Sequence, residues 1–255
     1  MDLTFLVIFI LFFVALIVTL VLLREPYPKW VYCIMITGKD TDRIRLARKS
    51  VQNFIEQDYK FKKLVIINHH SESVVSNPEG AVYEFKVPKA GNTLGDLRNI
   101  ALQLVPIDAI WTVWDDDDYR SPDYLSVLYS QMKRTNADVV LFTNRYEYNS
   151  NTKFVWEMQL TTGFVTVFAK QDMRIRYLQK DSMEDTQLID DFRKLEKKIY
   201  IYENDPMMYI RLVHSNNTSK YVNKEKTSIN RHVGTTYNEK DVADPTIRAK
   251  VAALM

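Results

Sequence analysis

From residue 31 to residue 142 the chain alternates short apolar, β-branched runs with helical stripes, and few folds accept that rhythm. Val31-Tyr32-Cys33-Ile34-Met35-Ile36 reads as a strand buried on both faces, closed by the turn residues Thr37-Gly38-Lys39-Asp40. Ile44, Ala47, Val51, Phe54 and Ile55 then recur at helical spacing, with Arg43, Arg45, Arg48 and Lys49 off the stripe. A helix is therefore predicted to about Gln57. Further strands are predicted over residues 64–67, 82–87, 110–114 and 138–142, and helices over 92–104 and 124–132. Strands separated by helices of ten or more residues predict an α/β domain on a largely parallel central sheet.

After Phe142 the rhythm changes. Residues 145–159 suggest a hairpin and 164–168 a strand. Leu188, Phe192 and Leu195 form a helical stripe, and residues 199–202 and 207–212 read as short strands. From Asn216 on there are seven Lys or Arg against four Asp or Glu, with weak periodicity. Residues 220–255 are expected to be a tail, or a lid that orders over a ligand.

One strand ends in an unusual way. Ile110-Trp111-Thr112-Val113-Trp114 runs into Asp115-Asp116-Asp117-Asp118, and Ser121-Pro122 then opens a helix as N-cap and first-turn residues. That places four carboxylates at the carboxyl edge of the sheet, where ligands of open α/β folds bind. Adjacent carboxylates repel one another unless a cation or donors compensate. The run is either a divalent-metal site suited to a metal–diphosphate or a solvated acidic turn.

Two later pieces supply partners for such a site. Glu184-Asp185 precedes the residue 188–195 stripe; it supplies either a general base or first-turn charge for the helix dipole. Arg211-x-x-His214 offers a cation for phosphate and an imidazole, and its alternative is a polar loop. His69-His70 invites a metal reading, but neighbouring side chains on extended chain diverge, so a polar loop competes. Thiolate metal sites and intramolecular disulfides are excluded, because Cys33 is the chain's one cysteine. With 34 basic and 32 acidic side chains there is no basic excess to neutralise nucleic-acid phosphates.

Residues 3–23 carry no charge and only two polar side chains, Thr4 and Thr19, over a length that spans a bilayer as a helix. A cleaved signal peptide would need a basic start and a small-x-small site, and neither is present. The expectation is a retained transmembrane anchor over residues 1–23, with a stiff linker over 24–30 containing Glu25-Pro26-Tyr27-Pro28. Arg24 and Lys29 follow the span and no basic residue precedes it, which predicts a single-pass protein with its domain on the cytoplasmic side. Asn216-Asn217-Thr218-Ser219 holds two overlapping glycosylation sequons that would stay unmodified there.

In their order these pieces resemble a family 2 glycosyltransferase, an inverting enzyme of the GT-A fold. The resemblance spans residues 31–219. It rests on the opening strand and helix with Gln57-Asp58-Tyr59, and on Gly95-Asp96-Leu97-Arg98-Asn99-Ile100-Ala101, similar to a G-x-x-x-R-N helix. It rests further on the aspartate run with Pro122-Asp123, and on Glu184-Asp185-Thr186-Gln187-Leu188, similar to an E-D-x-x-L motif. The last piece runs from Tyr209 through Arg211 and His214 to Ser219 and is similar to Y-x-R-x-H-x-x-N-x-S.

The resemblance implies a nucleotide-sugar donor, a UDP-sugar by family habit, a glycan, lipid or protein acceptor, and Mn²⁺ or Mg²⁺ as cofactor. It implies that Asp185 is the general base and that Asp117 and His214 hold the metal. Thr37 would touch the nucleobase, Asp115 and Asp116 would serve the nucleotide, Arg98 would lie near it, and Arg211 near the diphosphate. One departure stands out: Asn68 and His69 occupy positions where the family has an aspartate pair, leaving the Asn68 amide oxygen to accept from the base. The Q-x-x-R-W signature of processive synthases is absent, which implies transfer of a single sugar. A sugar-nucleotidyltransferase and a non-catalytic nucleotide-sugar-binding module on the same fold are the alternatives.

Overall fold

The structure, a computed structural model, describes residues 12–13, 29–76, 80–164, 166–185, 187–214 and 237–255. The expected anchor lies outside the described residues except for Phe12 and Phe13, which are helical. Residues 24–28, the sequons at 216–219 and residues 220–236 of the expected tail or lid also lie outside them. Among the described residues no helix is long and apolar enough to cross a membrane.

A seven-stranded sheet forms the centre, in the order β10-β6-β9-β4-β1-β2-β3. β1 (Val31–Thr37) lies between β2 (Lys62–Asn68) and β4 (Ile110–Val113) and is parallel to both. β3 (Val82–Lys86) extends the parallel set, and β6 (Val139–Phe142) pairs in parallel with β10 (Ile199–Tyr202). β9 (Phe168–Lys170) runs antiparallel between β4 and β6, which makes the sheet mixed. It begins where the predicted 164–168 strand ends, because residues 160–164 turn at Gly163 first.

Helices cover both faces, as strands buried on both sides require. Val31, Cys33 and Met35 point to one face, against Ile44, Ala47 and Phe54 of α1 (Thr41–Ile55) and Leu125 and Leu128 of α3 (Tyr124–Thr135). Ile34, Val65 and Ile67 point to the other, against Leu97 and Ala101 of α2 (Leu94–Gln103) and Leu188 and Phe192 of α4 (Leu188–Lys194). The strand order reverses between β4 and β1, so the crevice beyond their carboxyl ends is the topological switch point.

The single central sheet expected from the sequence is supplemented by a second, five-stranded one in the order β12-β8-β7-β11-β5. The predicted hairpin forms it as β7 (Asn144–Asn149) and β8 (Val155–Leu160). β11 (Tyr209–Val213) joins β7, and the two-residue β5 (Tyr119–Arg120) pairs with β11. β5 displaces the expected helix start. Ser121 is not the N-cap of α3: its hydroxyl donates to Asp123 Oδ1 at 2.5 Å, and the helix begins at Tyr124. Within the expected tail, β12 (Tyr237–Asp241) pairs with β8 and α5 (Pro245–Leu254) buries Val251 against Tyr146 and Ile210. A five-residue strand and a three-turn helix are too short to show a strong period in a basic segment.

Arg120 is fully buried where the two sheets meet. Its guanidinium lies 4.3 Å from the Trp114 ring and 4.9 Å from that of Tyr209, donates to the Val113 carbonyl at 3.1 Å and stands 3.9 Å from Asp115. It is the positive charge beneath the aspartate run. Arg120→Met is expected to destabilise the fold by roughly 1–3 kcal/mol, since it removes the donor to the buried Val113 carbonyl. A lowered thermal midpoint for the detergent-solubilised chain is the readout, and an unchanged midpoint would refute this role.

Candidate active site

After β4 the chain turns at Asp116-Asp117 before β5, and the four carboxylates meet different partners. The Asp115 side chain is about a third exposed, whereas those of Asp116, Asp117 and Asp118 are buried. Asp116 takes the Arg43 guanidinium at 2.5 Å and the Thr37 hydroxyl at 2.6 Å. Burial pushes its carboxyl up to about 8, against the pull of Arg43. Asp118 accepts the Leu212 N–H at 3.0 Å and a short bond from the Tyr209 hydroxyl, and burial pushes it up to about 7. Asp116 and Asp118 therefore fasten the loop to β1, α1 and β11. A solvated acidic turn is excluded, and Asp116, expected at the nucleotide, has both oxygens engaged within the protein.

The Asp117 carboxylate carries the second cluster. Its Oδ2 meets Nη1 of Arg43 and Nε2 of His214, the latter at 3.0 Å, and those two nitrogens are 3.3 Å apart. Burial opposes ionisation of Asp117, but His214 and Arg43 outweigh it and hold its pKa below the usual value. A carboxylate oxygen and an imidazole nitrogen 3.0 Å apart suit Mn²⁺ or Mg²⁺, and a cationic nitrogen already rests against both. Among the described residues no group of three or more His, Cys, Asp or Glu could enclose an ion. Asp117 and His214 would give an ion two ligands, with the rest of its shell left to diphosphate and water.

The third cluster is built by α2. Arg98 makes a short ion pair with Glu184, reaches Asp115 Oδ1 at 3.3 Å and lies 5.2 Å over the Tyr177 ring. Asn99 clamps the same loop, donating to the Tyr177 carbonyl at 2.9 Å and accepting its N–H at 2.8 Å. α4 begins at Leu188 with Asp190 and Asp191 in its first turn, so Glu184 and Asp185 precede the helix and are not its dipole charges. Glu184 is buried, and Asp185 is half-buried beside them. Burial raises the Asp185 carboxyl above the ordinary range, opposed by Arg98 and raised further by Asp115.

Gly95 explains the first letter of the G-x-x-x-R-N helix. A Cβ there would stand 1.7 Å from the Leu178 carbonyl oxygen, and Leu178 donates its N–H to the Glu184 carbonyl. Gly95→Ala must therefore push the residue 178–185 loop off α2. Overpacking of this kind costs roughly 1–3 kcal/mol. A lowered thermal midpoint together with loss of turnover is expected; normal values for both would show that the loop is not held this way.

The structure distributes the remaining candidates as follows. Thr37 ends β1 with its hydroxyl committed to Asp116. Asn68 is fully buried; its amide donates to the Glu72 carbonyl and to Glu84, and its oxygen accepts from His70 N–H. It shapes the turn after β2. His70 Nδ1 accepts the Glu72 N–H in that turn, so His70 serves the loop. Arg211 lies on β11 and pairs with Glu147 at 3.3 Å. Asp115, Arg98 and Asp185 come together, as do Asp117 and His214. Sequence reasoning missed Arg43 and Arg120, whose signal was their position next to the first turn and to the aspartate run.

The model for Glycosyl transferase family 2 matches residues 33–200, about two thirds of the chain. No curated protein matches the chain. Among solved structures, the crystal structure of S. aureus TarS 1-349 is similar in fold, with a TM-score of 0.55 at 14% identity over 72% of this chain and 60% of that one. Its complex with UDP gives 0.52 at 15% identity over 72% and 60%, and its complex with UDP-GlcNAc 0.50 at 13% over 72% and 58%. The chain thus spans about three fifths of the TarS 1-349 length. With the switch-point crevice, the aspartate run and the Arg98-tethered acid loop in the matched region, the chain belongs to glycosyl transferase family 2.

Proposed function

We propose that the protein is a membrane-anchored, metal-dependent inverting glycosyltransferase that moves one sugar from a nucleoside-diphosphate sugar to an acceptor hydroxyl. The observation that carries the reading is the Arg98 bridge: one guanidinium holds Asp115 at the β4 edge and Glu184 beside Asp185. A donor carboxylate and an acceptor-side carboxylate thereby face one crevice. The complexes of S. aureus TarS with UDP and with UDP-GlcNAc support a UDP-sugar donor.

In this reading Asp115 orients the nucleotide, and Arg98 keeps Asp115 and the acid loop in register. Asp117 and His214 would hold Mn²⁺ or Mg²⁺, which would supply charge neutralisation for the diphosphate leaving group. Arg211 lies nearby as a further cation for phosphate. Asp185 accepts the proton of the acceptor hydroxyl as its oxygen forms the new bond to C1 and the C1–O bond to the diphosphate breaks. Attack from the face opposite the leaving group inverts the anomeric centre. Residues 3–23 are the anchor, with the domain on the cytoplasmic side. NMR of the product formed by the detergent-solubilised chain tests the stereochemistry. An inverted anomer is expected, and retention would refute the single-displacement role of Asp185.

A further inference from the structure

The amino-terminal edge of the first sheet, opposite the active site, exposes five large apolar side chains. Trp30 precedes β1, Phe61 precedes β2, Ile107 precedes β4, Ile55 ends α1, and Met173 follows β9, which runs antiparallel to β4. These five side chains are 38–72% exposed. The loops that carry them are joined. The Trp30 and Phe61 rings meet edge-on at 5.7 Å, Ile110 N–H donates to the Trp30 carbonyl at 2.9 Å, and Gln171 N–H donates to that of Ala109 at 2.9 Å. Lys62 Nζ ties in the end of α1 through the Ile55 carbonyl at 3.0 Å, and the Lys63 ammonium lies 5.0 Å over the Trp30 ring. Aromatic rings flanked by lysines are the composition that settles at the boundary between lipid headgroups and acyl chains.

The chain itself says what covers this edge. The uncharged run of residues 3–23 ends five residues short of Lys29. Residues 24–28 span at most about 18 Å at roughly 3.6 Å each, so Trp30 is held close to wherever that run is embedded. Thr37, by contrast, lies six residues up β1 from Val31, roughly 20 Å away at about 3.3 Å per residue.

We propose that this edge, with Trp30, Phe61 and Ile107 at its centre, rests on the bilayer surface, so that the aspartate crevice opens away from the membrane into water. The inference rests on the anchor reading of residues 3–23 and deepens the function proposed above. The acceptor hydroxyl then belongs to a water-soluble molecule or to a chain projecting well beyond the headgroups, and not to a lipid headgroup at the surface.

Cys33 is the chain's single cysteine and is fully buried, so a thiol-reactive fluorophore can be directed to an introduced cysteine. The test uses the full chain in vesicles containing brominated phospholipid, labelled separately through Phe61→Cys, Ile107→Cys and Lys39→Cys. Labels at 61 and 107 are expected to lose fluorescence to the brominated lipid, while the label at 39, on the active-site edge, keeps its own. Two reporters on the proposed face guard against one substitution disturbing the fold. Quenching at 39 equal to or greater than that at 61 and 107 would overturn the inference. Alkaline carbonate extraction separates the two ways to fail. A chain that stays with the vesicles but shows the reversed pattern refutes the orientation alone, whereas a chain released into the supernatant refutes the anchor and the orientation together.

Discussion

Asp185→Asn is expected to lower kcat roughly 10²–10⁴-fold, the usual worth of a positioned general base, while leaving the fold and donor binding intact. The side chain keeps its size and loses only its capacity to accept a proton. It is half-buried in a loop held from behind by Arg98, Asn99 and Gly95, none of which depends on the Asp185 carboxylate for its own contacts. The pH profile supplies a second readout. Burial raises the proton affinity of Asp185, so activity should fall as pH drops through a pKa above the ordinary aspartate value. That acidic limb should be missing from the residual rate of Asp185→Asn. Full turnover by the variant would remove Asp185 from the mechanism.

Asp117→Ala is expected to abolish Mn²⁺-dependent donor binding. Asp117 is the carboxylate with the His214 imidazole 3.0 Å away, the pair assigned above to the ion. Titration of UDP into the solubilised chain, with and without Mn²⁺, gives the answer directly. The parent chain should bind more tightly with the ion, and Asp117→Ala should show no difference between the two. A retained metal effect would move the ion elsewhere. The variant also frees Arg43 from one of its two carboxylates, while Asp116 still holds the other side of the guanidinium, so the α1 start should remain in place.

The parallel core was legible because it follows from short-range rules. The buried runs of β1, β2, β4 and β6 and the helical stripe of α1 stand in the sequence at their own periods. The two-residue β5 has no period to read, and it exists only because β11, some ninety residues later, offers it a partner. α5 and β12 were hidden for the same reason: their order comes from packing on β8 and α1, which composition does not report. At the site, residue types announced Asp115, Asp117, Asp185 and His214. Which aspartates the protein engages internally needed the turn at residues 116–117 and the partners brought to it from β1, α1 and β11. Residue type alone points Asp116 and Asn68 at ligand, whereas Arg43, Thr37 and Glu84 engage them inside the protein. The arginines that neutralise the run come from α1 and from β5, and only the fold brings them to it.

The central claim is that one crevice binds a nucleotide sugar through Asp117 and cleaves its bond to the diphosphate. It is tested most directly by UDP release from a panel of UDP-sugars, using the full chain in detergent with Mn²⁺. Release with at least one sugar, lost on chelation and lost again in Asp117→Ala, is the predicted result. A folded chain that releases UDP equally well after chelation and in Asp117→Ala, or that neither binds nor cleaves any nucleotide sugar, would contradict it.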